Sequence, residues 1–372
     1  MSNDGTILLQ AMNQWSSRPA DQRFNSLEEL QAKVDRSQQL AIQIPKIQLG
    51  SLRVEAQATT PGAAPNSLVL VGKKNVPAAM THWAFGQLCS DLGIPAHYLR
   101  RLPPTMAAQN VNHWLAKPEF QTVEAKMLLE SNGHHLVRSL TSNDYGRIWN
   151  AQLVRALRLL VQRNPKWQPA PAACDGSRGL YASEEDMFTF LVDNTRKIFE
   201  KQEGGLGRFF MMSNSEVGKS SLWLMMGYYE WICGNHRIIG AQDIVEIRLR
   251  HTKNIQAAIT DKMGEMMQRC IDGDARKDEE LIERAHLIEL GRNKTELVEA
   301  VWSMAKRPPV LTRNLISDSF DLAEREETRY GAPTTLWGFT GGMTQLARDL
   351  PNASKRFEID RAAGKLLQLV AA

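Results

Sequence analysis

Cysteine is scarce in this chain of 372 residues, which contains only four. They stand far apart and form no CxxC pair, at positions Cys89, Cys174, Cys233 and Cys270. A disulfide framework or a zinc finger needs closely spaced cysteines. The spacing therefore excludes both patterns and favours reduced thiols.

Long apolar runs are also missing, because no stretch approaches the roughly 18 apolar residues of a membrane-spanning helix. The first residues, MSNDGT, lack the basic and then apolar order of a signal peptide. We therefore expect a cytoplasmic protein with no membrane partner.

The composition is that of an ordinary globular protein, with 43% hydrophobic and 23% charged residues. A chain of this length is long for one core and short for three. We expect an α+β protein with an antiparallel β-sheet core, flanking helices and a helical C-terminal region. The predicted division is an N-terminal helical and extended segment (1–65), an α+β core domain (66–254) and a mainly helical C-terminal region (255–372).

The stretch from Arg208 to His251 predicts several strands joined by tight turns. It is rich in aromatic and branched residues and contains several glycines. Its middle, LWLMMGYYEWIC, is also compatible with a buried helix, although Gly227 and Gly234 interrupt it and favour strands. The pair Gly234-Asn235 predicts a turn. This stretch is therefore expected to form an antiparallel meander.

The last strand of this stretch has the clearest pattern, because apolar and charged residues alternate with a period of two. Its solvent-exposed face would carry Glu246, Arg248 and Arg250.

Two hairpins are predicted before the meander. One turns at Asn132-Gly133, and the other joins GLYAS to MFTFLVD, where Asp186 closes the turn.

Helices are predicted on both sides of the strands. Ser26 and Glu29 form a capping box at the start of the first helix. Two or three short helices follow between Met80 and Leu115, and a longer charged helix ends near Met304. After the break at Pro308-Pro309, two more helices are expected to complete the chain.

The helix predicted from Gly146 to Arg163 is strongly amphipathic. Its apolar arc comprises Trp149, Leu153, Val154, Leu157, Leu160 and Val161, and its opposite arc comprises Arg147, Arg155, Arg158 and Arg163. Only Ile148 departs from the pattern. The basic arc is either a solvated surface or a phosphate-binding ridge.

The net charge of +4 is too small to support a phosphate-binding ridge by itself, and the distribution of charge along the chain is more informative. Between Leu136 and Lys166, six basic residues stand against the single acid Asp144. The candidate nucleic-acid-binding residues are these six and the two arginines of the alternating strand: Arg138, Arg147, Arg155, Arg158, Arg163, Lys166, Arg248 and Arg250.

Two further patterns suggest chemistry. SNSEVGKSS (213–221) nearly matches a P-loop, but Ser213 stands where the first glycine belongs, and a strand rather than a helix is expected to follow. A strand-connecting turn with exposed Lys219 explains it better. Cys233, His236 and His251 could converge on a zinc ion, but no fourth ligand is evident. We therefore expect neither cofactor nor metal, and the sequence names no catalytic residue.

Several stretches carry a family resemblance. They are LGIPAHYLRRLP (92–103), VRSLTSNDYGRIWNAQLVRAL (137–157), RGLYASEEDMFTFLVD (178–193), FFMMSNSEVGKSSL (209–222), ICGNHRIIGA (232–241), IRLRHTKN (247–254) and the C-terminal segment 334–367. Together they resemble the phage/plasmid-like family classed as domain of unknown function 932. The resemblance implies a setting of phages, prophages and plasmids, where replication and recombination genes are common, and it implies no catalytic residue.

The leading functional hypothesis is nucleic-acid binding, with single-stranded DNA annealing in recombination or replication as its specific form. It rests on the basic helix face, the arginines of the strand and nearby aromatic residues that could stack on bases. One alternative is an enzyme of nucleotide or nucleic-acid metabolism, and another is an interaction protein that inhibits a host factor. By analogy with other annealing proteins, the chain is also expected to be able to form a homo-oligomer.

Overall fold

A computed structural model of the protein describes residues 19–56, 68–72, 75–169, 179–198, 206–230, 247–249, 251, 264–265, 275–304, 306–325, 327, 331–349 and 353–371. The α-helices of this part of the chain are α1 (Leu27–Leu40), α2 (His82–Asp91), α3 (Ala96–Leu99), α4 (Pro104–Leu115), α5 (Asn150–Arg163), α6 (Ala275–Leu287), α7 (Lys294–Ser303), α8 (Arg313–Arg325), α9 (Leu336–Asp349) and α10 (Ala353–Ala371).

The strands of the described residues form two sheets. They are β1 (Arg23–Phe24), β2 (Ala41–Gln48), β3 (Arg53–Ala56), β4 (Leu68–Val71), β5 (Pro77–Met80), β6 (Glu124–Ser131), β7 (His135–Thr141), β8 (Trp167–Pro169), β9 (Leu180–Ala182), β10 (Met187–Ile198), β11 (Leu206–Asn214), β12 (Leu222–Glu230) and β13 (Ile247–Leu249).

The seven-stranded sheet has the order β1-β9-β10-β11-β12-β13, with β8 also paired to β10. All of its described pairs are antiparallel. The six-stranded sheet has the order β2-β6-β7-β5-β4-β3, in which β5 and β7 run parallel and the other neighbours antiparallel. The protein is therefore α+β, as predicted, and the stretch LWLMMGYYE is a strand rather than a buried helix.

Each sheet has its own hydrophobic core. Helices α1 and α5 cover the seven-stranded sheet, where Leu30, Leu153 and Phe210 are buried together. Helices α2, α3 and α4 contribute to the core of the six-stranded sheet, where Phe85 and Val111 are buried. Burial of an apolar side chain of this size contributes about 1.5–3 kcal/mol relative to exposure, so each helical layer is held mainly by its apolar face.

Residues of the predicted N-terminal segment contribute to both sheets. Strand β1 pairs with β9, whereas β2 pairs with β6. Helix α1 lies between these strands in the sequence and begins as predicted. The Glu29 N–H donates to Ser26 Oγ at 3.1 Å, and Glu29 Oε2 accepts from the Asn25 N–H at 2.9 Å. The three-part division of the chain stays a prediction.

The predicted hairpins are both present. Strands β6 and β7 pair antiparallel on either side of Asn132-Gly133, and Gly133 has a φ of 75°, which only glycine adopts without a steric penalty. Strands β9 and β10 also pair antiparallel, and Asp186 closes their turn by accepting a hydrogen bond from Ser183 Oγ at 2.7 Å. The predicted turn at Gly234-Asn235 lies outside the described residues.

The C-terminal region is helical, but its division differs from the prediction. The long charged helix expected to end near Met304 is two helices, α6 and α7, because Asn293 starts a new helix by accepting a hydrogen bond from the Glu296 N–H at 3.0 Å. Three helices rather than two follow Pro309 in the described residues. Helices α8 and α9 pack closely, since a Cβ at Gly342 would clash with the Ser319 carbonyl oxygen.

Candidate nucleic-acid interface and the buried cluster that positions it

Arg138 occupies a β-bulge in the six-stranded sheet. The pairing between β6 and β7 passes from Leu128 opposite Ser139 directly to Leu129 opposite Val137. Arg138 is thus the extra residue on β7. A bulge of this kind redirects the side chain of its extra residue, so Arg138 need not follow the alternation of its strand.

The redirected side chain of Arg138 is only 2% exposed. Its guanidinium donates to Glu216 Oε2 at 3.2 Å, to Ser37 Oγ at 3.0 Å and to the Glu184 carbonyl oxygen at 3.1 Å. These partners come from the β11–β12 turn, from α1 and from the β9–β10 turn. One arginine of the six-stranded sheet therefore joins three elements associated with the seven-stranded sheet.

Glu216 fixes the start of α5. Its other carboxylate oxygen, Oε1, accepts a hydrogen bond from the Asn150 N–H at 2.8 Å. The preceding residue, Trp149, gives the helix no side-chain cap. A carboxylate at a helix N-terminus satisfies a free N–H group and interacts favourably with the helix dipole. Glu216 thus caps α5 from a distant part of the chain.

Arg147 completes the buried arginine cluster, a name used here for Arg138, Arg147 and Glu216. Its Nη1 donates to the carbonyl oxygen of Glu216, and its guanidinium lies 5.4 Å from the ring centre of Tyr145. Burial lowers the pKa of Arg147, and the nearby Tyr145 and Glu216 act in the opposite direction. Arg147 is 6% exposed, so it is part of the interior.

The position of Arg147 corrects the predicted helix. Helix α5 begins at Asn150 rather than at Gly146, because Glu216 accepts the Asn150 N–H. Arg147 therefore precedes the helix and does not lie on its basic face. Ile148, which broke the predicted pattern, also precedes the helix and is 1% exposed.

A second buried contact holds the same helix end. Asn214 Nδ2 donates to the Ile148 carbonyl oxygen at 3.0 Å and to Asn150 Oδ1 at 2.7 Å. Asn214 is fully buried at the end of β11. The β11–β12 connection therefore holds α5 through both Asn214 and Glu216.

Tyr145 and His251 stack beside the cluster, with ring centres 5.0 Å apart and planes inclined by 3°. Tyr145 Oη donates to the Ser215 carbonyl oxygen at 3.0 Å, and burial raises the pKa of Tyr145. Burial lowers the pKa of His251 to about 4, a direction that Arg147 reinforces. His251 is therefore neutral near pH 7.

The exposed face of α5 carries the other predicted arginines. Arg155 Nη2 donates to Asp35 Oδ1 at 3.1 Å, and Arg158 Nη2 donates to Glu28 Oε1 at 3.1 Å. Both acids belong to α1. The Arg155 side chain is 61% exposed and that of Arg158 is 30% exposed. These ion pairs therefore lie at the surface, unlike the buried arginine cluster.

The basic surface continues beyond these two arginines. Arg163 and Lys166 are exposed, and Leu159 is 52% exposed although it is apolar. Residues four apart lie on the same face of a helix. Leu159 therefore lies between Arg155 and Arg163. We name the α5 basic face as Arg155, Arg158, Leu159, Arg163 and Lys166.

Two predicted residues cannot be placed on this face. Arg248 lies in β13 opposite Trp223, and Arg250 lies outside the described residues. The predicted antiparallel meander therefore includes the strand that carries Arg248. That Arg248 and Arg250 share a solvent-exposed face stays a prediction.

The near P-loop is a strand-connecting turn. Gly218 has a φ of 83°, and the strand β12 follows where a P-loop requires a helix. Lys219 Nζ lies 2.7 Å from Glu185 Oε2 and 3.4 Å from Asp186 Oδ2. Burial lowers the pKa of Lys219, but the two carboxylates outweigh this effect and raise it. Lys219 is exposed, as predicted, and its ammonium group pairs with two carboxylates of the protein.

Residues for metal binding are not brought together in the described part of the chain, where no group of three or more His, Cys, Asp or Glu side chains could hold an ion. Cys233 and His236 lie outside it, so their suggested convergence with His251 stays untested. The described helices also include none with the length and apolar character needed to cross a bilayer.

Sequence reasoning missed the residue that organises this region. Glu216 lies within the stretch that resembles a P-loop, and its neighbours in sequence gave no reason to expect a buried acid. The charges gave no signal either, because the stretch from Arg138 to Arg147 contains two arginines and Asp144, and a buried charge requires a partner that the sequence does not identify. Only the tertiary structure identifies that partner as Glu216.

The protein is thus of the α+β class, with two mainly antiparallel sheets that are joined by the buried arginine cluster. The family described as Domain of unknown function (DUF932) matches residues 137–348. The match covers more than half of the chain, so the protein belongs to this family. No curated protein and no solved structure matches the chain.

Proposed function

We propose that the protein binds nucleic acid, and single-stranded DNA in particular, through the α5 basic face. The observation that carries the proposal is the composition of α5, which has three arginines and no acidic residue between Asn150 and Arg163. Leu153, Val154 and Leu157 of this helix are buried in the core of the seven-stranded sheet, and Leu160 and Val161 pack against it. The arginines are therefore displayed together on the other side.

The ion pairs to α1 do not prevent such binding. An exposed pair contributes only about 0–1 kcal/mol because water screens it and two long side chains must be ordered. A guanidinium binds phosphate with two parallel hydrogen bonds, which a single carboxylate contact at 3.1 Å does not provide. A phosphate can therefore replace Asp35 at Arg155 and Glu28 at Arg158.

The exposed Leu159 favours a single strand over a duplex. In a duplex the faces of the bases are stacked, whereas a single strand can present them to protein side chains. Leu159 offers an apolar contact between two arginines that are spaced one helical turn to either side. The α5 basic face thus combines phosphate binding with a contact for a base.

Arg138 and Arg147 are not part of this proposed interface. Arg138 was a candidate because of its charge, and Arg147 because of its charge and its place on the basic arc of the predicted helix, but burial removes both from contact with a ligand. We assign them a positioning role. They and Glu216 fix the start of α5, so that the exposed arginines project from a helix that is already held in place.

The test is the salt dependence of oligonucleotide binding. Each phosphate contact on a single strand contributes roughly 0.7 to the slope of log K against log salt. We expect Arg155→Ala combined with Arg158→Ala to weaken binding and to lower the slope by about 1.4. Fluorescence anisotropy with a labelled single strand at several salt concentrations measures both quantities.

The matched control removes two cations from ion pairs elsewhere on the protein. Lys294 pairs with Asp321 at 2.5 Å, and Arg313 pairs with Glu299. The double change Lys294→Ala with Arg313→Ala alters net charge equally, and we expect the slope to remain as in the wild type. A second variant, Asp35→Asn with Glu28→Gln, releases the two arginines of α5 and should strengthen binding.

Two outcomes would contradict the proposal. One is a wild-type protein that binds neither single- nor double-stranded DNA at low salt. The other is an equal loss of affinity in the α5 double variant and in the C-terminal control, which would indicate a general charge effect.

Single-strand annealing in a phage, prophage or plasmid is the specific form of this proposal. It is supported by the family resemblance and by analogy with other annealing proteins, several of which are rings. The measurement is the rate at which two complementary oligonucleotides pair with and without protein, together with light scattering to detect a homo-oligomer on single-stranded DNA.

A further inference from the structure

Helices α1 and α5 lie side by side on the seven-stranded sheet. Glu28, near the start of α1, contacts Arg158, whereas Asp35, near the end of α1, contacts the earlier residue Arg155. The two helices are therefore antiparallel. We name the junction marked by these two ion pairs the α1–α5 seam.

Arg36 lies beside this seam on α1 and points away from the sheet. Successive residues of a helix are turned by about 100°. Val34, which precedes Asp35, is buried in the core, so Arg36, which follows Asp35, is turned in the opposite sense and is exposed. Because Asp35 itself contacts Arg155, Arg36 and Arg155 stand on the two sides of the seam at the same end.

Arg36 has no acidic neighbour on its own helix. Residues three and four positions away share its face, and they are Ala32, Lys33, Gln39 and Leu40. Within the described residues, Arg36 also forms no ion pair with another element. It can therefore bind an anion without giving up a partner, whereas Arg155 and Arg158 must each exchange an acid for a phosphate.

We infer that single-stranded DNA runs along the α1–α5 seam, with its phosphates held by Arg36 on one side and by Arg155 on the other. This inference rests on the proposed function and adds a residue of α1 to the interface. Arg163 projects about 140° around α5 from Arg158, on the side away from α1. A strand that followed that side of α5 would not reach Arg36, so the two paths can be distinguished.

The test compares two exposed cations of α1 in the full chain. Lys33 lies about 160° around the helix from Asp35, on the side away from α5, and shares its face with Glu29. Arg36→Ala and Lys33→Ala change the net charge equally. The affinity for a labelled single strand is measured by fluorescence anisotropy at several salt concentrations.

We expect Arg36→Ala to weaken binding roughly threefold to tenfold at low salt and to lower the slope of log K against log salt by roughly 0.7, as for one lost phosphate contact. Lys33→Ala should change the affinity less than about twofold and leave the slope unchanged. Arg36→Lys keeps the charge and should retain the slope. Because Arg36 has no partner within the described residues, Arg36→Ala should unfold at the same temperature as the wild type.

Failure of this inference and failure of the proposed function give different results. The inference alone is overturned if Arg155→Ala with Arg158→Ala lowers the slope but Arg36→Ala behaves like Lys33→Ala, because the strand would then bind α5 without following the seam. Both are overturned if the wild type does not bind single-stranded DNA at low salt.

Discussion

Arg138 and Arg147 differ from Arg155 and Arg158 in almost every respect except residue type. The first two are buried and bound to Glu216, whereas the second two lie at the surface and pair with acids of α1. All four stand within a short stretch that looks uniformly basic in the sequence. The count of charges therefore identifies a basic segment without showing which charges face solvent.

The energetic consequences differ as much as the positions do. Removing one partner of a buried ion pair costs about 3–5 kcal/mol because it leaves the other charge buried and unpaired. Breaking an exposed pair costs about 0.2–1 kcal/mol. The buried arginine cluster should thus control stability, and the α5 basic face should control binding.

The largest expected effect is that of Glu216→Ala. This change leaves Arg138 without its buried carboxylate and Asn150 without the acceptor that caps α5. We expect the free energy of unfolding to fall by about 3–5 kcal/mol, as measured by urea denaturation followed by circular dichroism.

The control for this prediction is Glu185→Ala. Glu185 pairs with Lys219, and its side chain is 31% exposed, so its removal should cost less than about 1 kcal/mol. Equal losses of stability in Glu216→Ala and Glu185→Ala would contradict the prediction, because they would show that the buried arginine cluster stabilises the protein no more than the surface pair of Glu185 and Lys219.

A smaller effect is expected from pH, through His251 beside the cluster. Its folded-state pKa of about 4 lies below the ordinary value of 6.5, so the unfolded state binds the proton more readily. Stability is therefore greatest above the ordinary pKa and falls as pH decreases towards 4. Allowing for the partial exposure of the ring, we expect a loss on the order of 1 kcal/mol between about pH 7.5 and pH 5.

The variant His251→Phe separates this effect from other titrations. It keeps an aromatic ring beside Tyr145 but removes the titrating group. As pH falls from about 7.5 to 5, the free energy of unfolding should decrease more in the wild type than in the variant. Urea denaturation at each pH measures this difference. An identical pH dependence in the two proteins would contradict the assignment to His251.

The smallest stability effect is expected from Arg155→Ala combined with Arg158→Ala. Both residues lie opposite the buried arc of α5, and each loses only a surface ion pair. We expect a loss of less than about 1 kcal/mol in total, measured by thermal denaturation. A larger loss would mean that the α5 basic face also supports the fold and that reduced DNA binding could reflect unfolding.

Local patterns predicted much of the secondary structure. The capping box at Ser26 and Glu29, the hairpin at Asn132-Gly133 and the strands after Arg208 all appear in the described residues. These features depend on neighbours in the sequence, through turn conformation, capping and side-chain alternation. The break between α6 and α7 was missed, although Asn293 offered a local capping signal.

Contacts between distant residues decided the rest. The start of α5 depends on Glu216, which lies 66 residues away from Asn150, and the burial of Arg138 depends on a bulge that changes the register of β6 and β7. Neither is visible in a pattern of hydrophobicity or charge. The sequence by itself determined the elements and their apolar faces, because these follow from short-range geometry. The tertiary structure alone decided which arginines are buried, since a charge enters the interior only where a partner from another part of the chain meets it.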